Sequence, residues 1–185
     1  MNQHMIAHRI LHESFPYVDA EDSVSYFSEA GDATQALMYG WLYWPDLVEI
    51  HGAVFMALSG DDEAEIAQRL ATPLADGHPE WPVMSWVQMV DSYNIFEIQH
   101  LFRQSRGPVE FSEDTHRILG SILVQSWRAR LMASYPDRQF AVRMIEADAS
   151  MDLRIAVSQE TPLLIPPRGW DGQRRGIIID PDRPE

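Results

Sequence analysis

Apolar residues are densest between Gln35 and Leu58, in QALMYGWLYWPDLVEIHGAVFMAL. From Ala33 to Trp44 the chain holds mostly helix formers and aromatics. Leu37, Trp41 and Trp44 recur at three- and four-residue spacing, as do Met38 and Leu42. Apolar side chains then cover most of the circumference, which predicts a helix buried on more than one side. Asp32 supplies an N-cap, and Pro45 ends the helix because the residue before a proline is pushed out of the α region. Leu47, Val48 and Ile50 lead to His51-Gly52, and an apolar run follows to Leu58. That pattern predicts a hairpin over about 47–58. In Val54–Leu58 both parities are apolar, so the second strand is expected to be covered on both faces.

The remaining pattern is sparser. Met5, Ile6 and Ile10 mark one face of a short helix over 3–13. Val24, Tyr26 and Phe27 mark a second, which closes near Gly31. Asp61, Asp62 and Glu63 open a helix that runs to about Leu70, with Ile66, Ala67 and Leu70 as its buried stripe. Val83–Phe102 predicts two helices broken near Ser92–Asn94. The strongest helical pattern lies over about 112–134. Ser112 caps it, Glu113 and Asp114 occupy its first turn, and Ile118, Leu119, Ile122, Leu123, Trp127 and Leu131 form its stripe. Phe140, Val142 and Met144 alternate, and so do Leu153, Ile155 and Val157, which predicts a second hairpin over about 139–158. From Thr161 the last twenty-five residues hold five prolines and three glycines. They read as a tail that wraps, with an edge strand near Gly176–Ile179. The expected architecture is α+β: a small, mostly antiparallel sheet from the two hairpins, packed by four to six helices, in one domain over 1–160 with the tail at 161–185.

Charge adds an asymmetry to this picture. The formal net charge is −14, and all fourteen basic residues are arginine. Residues 1–100 hold sixteen acids against Arg9 and Arg69; residues 101–185 hold twelve acids and twelve arginines. The whole excess lies in the first hundred residues. Such a surface repels nucleic acid and anionic membrane and steers a basic partner. No run of apolar residues is long enough for a membrane span. The start of the chain lacks the cationic and apolar regions of a signal peptide. With no cysteine, there is no disulfide framework, thiolate metal site or thiol nucleophile, a composition compatible with the cytoplasm.

Candidate chemistry is thin. His4, His8 and His12 recur every fourth residue, a spacing that lines imidazoles along one helix face, but on a terminal segment. Glu97/His100 and Glu113/His116 are Glu-x-x-His pairs of the kind used in carboxylate-bridged di-metal bundles. The lone glutamates that such a site needs from two further helices have no counterpart here, and Glu113 already belongs to a helix start. No nucleophile elbow occurs, and no glycine-rich phosphate loop. These absences assign no catalytic, metal or cofactor residue. The expectation is a non-enzymatic, acidic protein-binding module, such as an inhibitor or an antitoxin- or immunity-like neutraliser of a basic protein. Its partner-binding residues would be Asp46, Glu49, Asp61, Asp62, Glu63, Glu65 and Trp81. Two other classes stay open: a small metal-assisted hydrolase using His and carboxylate residues, and an accessory subunit docking through the aromatic stretch or the tail.

Overall fold

The computed structural model describes residues 3–19, 23–58, 62–74, 82–103 and 107–178. In chain order the elements are α1 (Gln3–Ser14), α2 (Ser23–Glu29), α3 (Ala33–Tyr43), β1 (Leu47–Ile50), β2 (Ala53–Met56), α4 (Glu63–Leu70), α5 (Trp86–Tyr93), β3 (Ile95–Glu97), α6 (Ile98–Leu101), α7 (Ser112–Ser134), β4 (Gln139–Ile145), β5 (Arg154–Thr161), β6 (Trp170–Asp171) and β7 (Gly176–Ile177), with a 3₁₀ turn at Val109–Phe111 before α7. This is the expected α+β class. The strands form three small sheets: β1-β2, β3-β5-β4 and β6-β7. The two expected hairpins therefore pair in separate sheets. A strand not foreseen, β3, lies beside β5. Val157 N–H donates to Asn94 O and Ile98 N–H to Leu153 O, an antiparallel register.

The chain divides into two compact units. One comprises Met1–Trp44, Phe96–Arg130 and Val142–Ala156; the other comprises Pro45–Ile95, Leu131–Ala141 and Val157–Glu185.

The second unit holds the first hairpin. His51 and Gly52 take φ of 51° and 75°. Two left-handed residues in a two-residue loop match the right-handed twist of the strands they join. All four residues of β2 are buried, as its double apolar parity predicts. Asn94, 2% exposed, supplies β2 with side-chain partners in place of a further strand. Its Oδ1 accepts from Met56 N–H at 2.9 Å and its Nδ2 donates to Val54 O at 2.8 Å. Ile50, Ala53, Phe55, Ile66, Leu70, Trp86 and Val90 form the core. The Pro- and Gly-rich segment packs as well as wraps: Trp170 meets Trp86 edge-on at 5.3 Å and donates from Nε1 to Met84 O at 3.2 Å. Leu164 and Ile177 add to the same core. Ile179, in the expected edge strand, lies outside the described residues.

In the first unit, Ile98, Phe111, Leu123, Trp127, Val142, Leu153 and Ile155 are buried. Gly120 makes room for the ends of two core side chains where α7 meets this core. A Cβ there would lie 2.4 Å from Ile98 Cδ1 and 2.8 Å from Met144 Sδ. The buried face of α7 follows Gly120, Leu123, Trp127 and Leu131, while Ile122, expected in the stripe, is exposed. Ile122 sits about 100° around the helix from Leu123, so a face centred on Leu123 turns it outward.

The main correction concerns α3. The pattern predicted a helix buried on more than one side, yet no residue of α3 is buried. Apolar content all round a helix states a demand for cover, and the described residues meet it along one side only.

Candidate protein-docking surface

Helix α3 begins as the sequence requires. Asp32 is extended and its carboxylate accepts from Gln35 N–H at 2.8 Å, satisfying one of the four orphan donors of a helix start. The other end is tied down by Trp127, which donates from Nε1 to Leu42 O at 2.8 Å. Tyr39 lies 6.0 Å from the Phe102 ring. Tyr43 has its hydroxyl pKa raised by burial first and by Tyr39 second. At 100° per residue, Tyr39, Leu42 and Tyr43 fall on one side of the helix, and Leu37, Trp41 and Trp44 fall on the opposite side. The first set is the anchored face. The second set is open, with Leu37 65% exposed, Trp41 72% and Trp44 48%; Met38, on the flank about 100° from Tyr39, is 56% exposed.

Two details of that open face matter. Its residues from Ala33 to Trp44 include no Asp, Glu, Lys, Arg or His, in a chain of net charge −14. Charge flanks it in sequence, with Asp32 before the first turn and the exposed Asp46 two residues after Trp44, and the Arg130 guanidinium stacks 5.4 Å from the Trp44 ring centroid. The second detail is Gly40. Its φ is negative, and a Cβ added there would meet nothing within 4 Å. Glycine in a helix interior costs about 1 kcal/mol relative to alanine, and among the described residues no neighbour requires it here. The earlier helices carry exposed apolar side chains too: Met5 on α1, and Val24 and Phe27 on α2.

Three of the acidic residues singled out in the sequence, Asp62, Glu65 and Glu49, have partners within the chain. Asp62 and Glu65 make a reciprocal capping box at the start of α4: Asp62 Oδ1 accepts from Glu65 N–H at 2.9 Å, and Glu65 Oε2 accepts from Asp62 N–H at 3.0 Å. Glu63 is exposed in the same first turn, where its charge complements the helix dipole. Glu49 pairs with Arg138 at 2.5 Å. Asp46 is exposed. Asp61 and Trp81 lie outside the described residues. The signal that finds the open surface is the uncharged aromatic helix.

The histidine patterns resolve separately. His4, His8 and His12 are exposed along α1, and His8 contacts the Tyr26 ring edge-on at 6.2 Å. Glu97 pairs with His100 at 3.3 Å and also accepts from Asp152 N–H at 2.9 Å. Glu113 turns to Arg117 at 3.1 Å. Among the described residues no group of three or more His, Asp or Glu is placed to hold a metal ion. A cleft of about 410 Å³ lies at the start of α7, lined by Gln99, Glu110, Ser112, Glu113, His116, Arg117 and Glu146 among others. Arg117 bridges its two sides, donating to Glu146 at 2.7 and 2.8 Å and to Glu113 at 3.1 and 3.2 Å. Glu146 first and Glu113 second hold Arg117 firmly in its charged form, and the bond from Arg117 lowers the Glu146 carboxyl pKa. The cleft is thus crossed by a satisfied ion-pair network.

Comparison with known proteins finds no matching family, no matching curated protein and no matching solved structure. Among the described residues no helix is long and apolar enough to cross a membrane.

Proposed function

We propose that this protein is a non-enzymatic protein-binding module that docks another polypeptide on the open face of α3. The observation that carries this reading is the exposure of Leu37, Met38, Trp41 and Trp44 on a helix with no buried residue. A contiguous apolar patch left in water forfeits roughly 25 cal/mol for every Å² that a partner would cover. Patches of this kind mark interaction sites. Trp and Tyr also dominate the binding energy of protein interfaces, because one side chain brings large area at low entropic cost. The acid excess disfavours nucleic acid and anionic membrane as occupants. Site-specific photo-crosslinking tests the reading: a photoreactive phenylalanine at position 41, irradiated in the cells that make the protein, should give a discrete covalent adduct with a polypeptide. Absence of any adduct at position 41, with adducts equally absent at positions 37 and 44, would remove it.

A second reading, a neutraliser of a basic protein, is favoured by Asp46 and Glu63. Both are exposed, and neither pairs with a basic side chain among the described residues. It requires association that slows steeply as salt rises, since exposed charges steer encounter and are screened. An association rate indifferent to ionic strength contradicts it.

A further inference from the structure

We infer that the polypeptide that covers α3 is a second copy of this chain, paired antiparallel about a two-fold axis. This rests on the reading of α3 as a docking face and names its occupant. Three observations lead to it.

The first is charge. Two chains of net −14 repel, and the face from Ala33 to Trp44 carries no ionic charge, so it lets two copies touch without opposing like charges. Asp32 stands at its start, and Arg130 stacks over Trp44 at its close, where the exposed Asp46 follows two residues later. Antiparallel pairing sets the Asp32 end of each copy beside the Arg130 end of the other, twice, and opposes the two helix dipoles favourably.

The second is shape. Gly40 leaves a notch beside the ridge of Leu37, Trp41 and Trp44, and open space lies where its Cβ would be. A two-fold interface must fit itself, and a face with a ridge next to a notch does so when the ridge of one copy enters the notch of the other. This supplies a reason for glycine that the described residues do not.

The third is area. The exposed portions of Leu37, Met38, Trp41 and Trp44 offer on the order of 500 Å² per copy. A symmetric pair then covers at most roughly 1,000 Å², at the threshold for a specific interface and below its standard size. The expected dimer is accordingly reversible and concentration-dependent.

The test is sedimentation velocity with light scattering on the full chain, from below 1 μM to about 100 μM, for wild type and four variants. Wild type should pass from monomer to dimer. Trp41→Ala and Gly40→Leu should each raise the dissociation constant by about tenfold or more, with far-UV circular dichroism unchanged. Gly40→Ala separates the inference from a mere folding role: it should raise the thermal midpoint of the monomer while weakening the dimer severalfold. Asp32→Asn keeps the N-cap and removes the charge; it should weaken the dimer severalfold and flatten its salt dependence. A wild type that stays monomeric, with position 41 crosslinking to a different polypeptide, overturns the second copy and leaves the docking face standing. A monomer with no adduct overturns both. A dimer that none of the α3 variants weakens also overturns the inference, because it forms elsewhere.

Discussion

The most apolar stretch of the chain splits into two halves with opposite fates. Residues 53–56 are buried without exception, whereas residues 33–43 include none that is buried. Composition does not separate them. The difference lies in who supplies the cover. Strand β2 pairs with β1 on one edge, and the Asn94 amide serves its backbone beyond the hairpin. Phe55 of the same strand lies edge-on to Trp86 and Tyr93. Helix α3 satisfies its own backbone, as any helix does, so only its side chains need neighbours, and contacts are recorded along the Tyr39, Leu42 and Tyr43 side. A strand cannot stand alone, because its N–H and C=O groups demand partners as well. A helix can be held by one side and present the other.

The sharpest way to break this comparison is to truncate one tryptophan from each setting. Trp86→Ala in the buried core should cost about 3–5 kcal/mol of stability, read as a lower denaturation midpoint in guanidinium. Trp41→Ala, removing a side chain that is mostly in water, should change it by no more than about 0.5 kcal/mol. Equal losses would mean that α3 is as much core as β2. Next in size is Asn94→Ala, which strands Met56 N–H and Val54 O in a dry site and should cost about 2 kcal/mol; hydrogen exchange at Met56 should speed up with it. Smaller again are the caps. Asp62→Ala and Asp32→Ala should each cost about 1 kcal/mol, and similar values would show that capping strength is indifferent to whether the helix is covered.

The smallest effect concerns the loop between β4 and β5. Asp148 accepts from the Ser150 hydroxyl at 2.6 Å, from Ser150 N–H at 2.8 Å and from Met151 N–H at 3.1 Å, and it pairs with Arg154 at 2.5 Å. Ser150 first and Arg154 second hold its carboxyl well below the ordinary value of 3.8. A carboxyl lowered in the folded state adds stability that is fully present above its unfolded pKa, and that stability is lost as pH falls through the folded one. Loop stability should therefore hold at neutral pH and weaken progressively as pH falls below about 3.8 toward the lower folded value. In a carboxyl-carbon NMR titration, Arg154→Ala should move the midpoint part of the way back, because the Ser150 bonds remain. A midpoint unchanged by that substitution would assign the whole shift to Ser150.

Local features were legible wherever they depend on neighbours in sequence. The Asp32 cap, the proline stop at Pro45, the His51-Gly52 turn and the helix from Ser112 all follow from residues within a few positions of each other. The break near Asn94 was legible as a break, but the strand after it was not. Ile95–Glu97 takes extended form through its pairing with β5, some sixty residues away in the chain. The acids divide along the same line between local and distant partners. Asp62 and Glu65 cap their own helix, and the use of Glu49 depended on where Arg138 came to lie.

The sequence by itself determined the α+β class, the two hairpins, the Asp32 cap and the acid excess, because periodicity, turn chemistry and net charge act over short range or need no geometry. Only the tertiary structure decided which apolar residues are core and which are surface. Burial belongs to pairs of elements, and a helix rich in Leu and Trp reads the same whether its partner lies in its own chain or in another molecule.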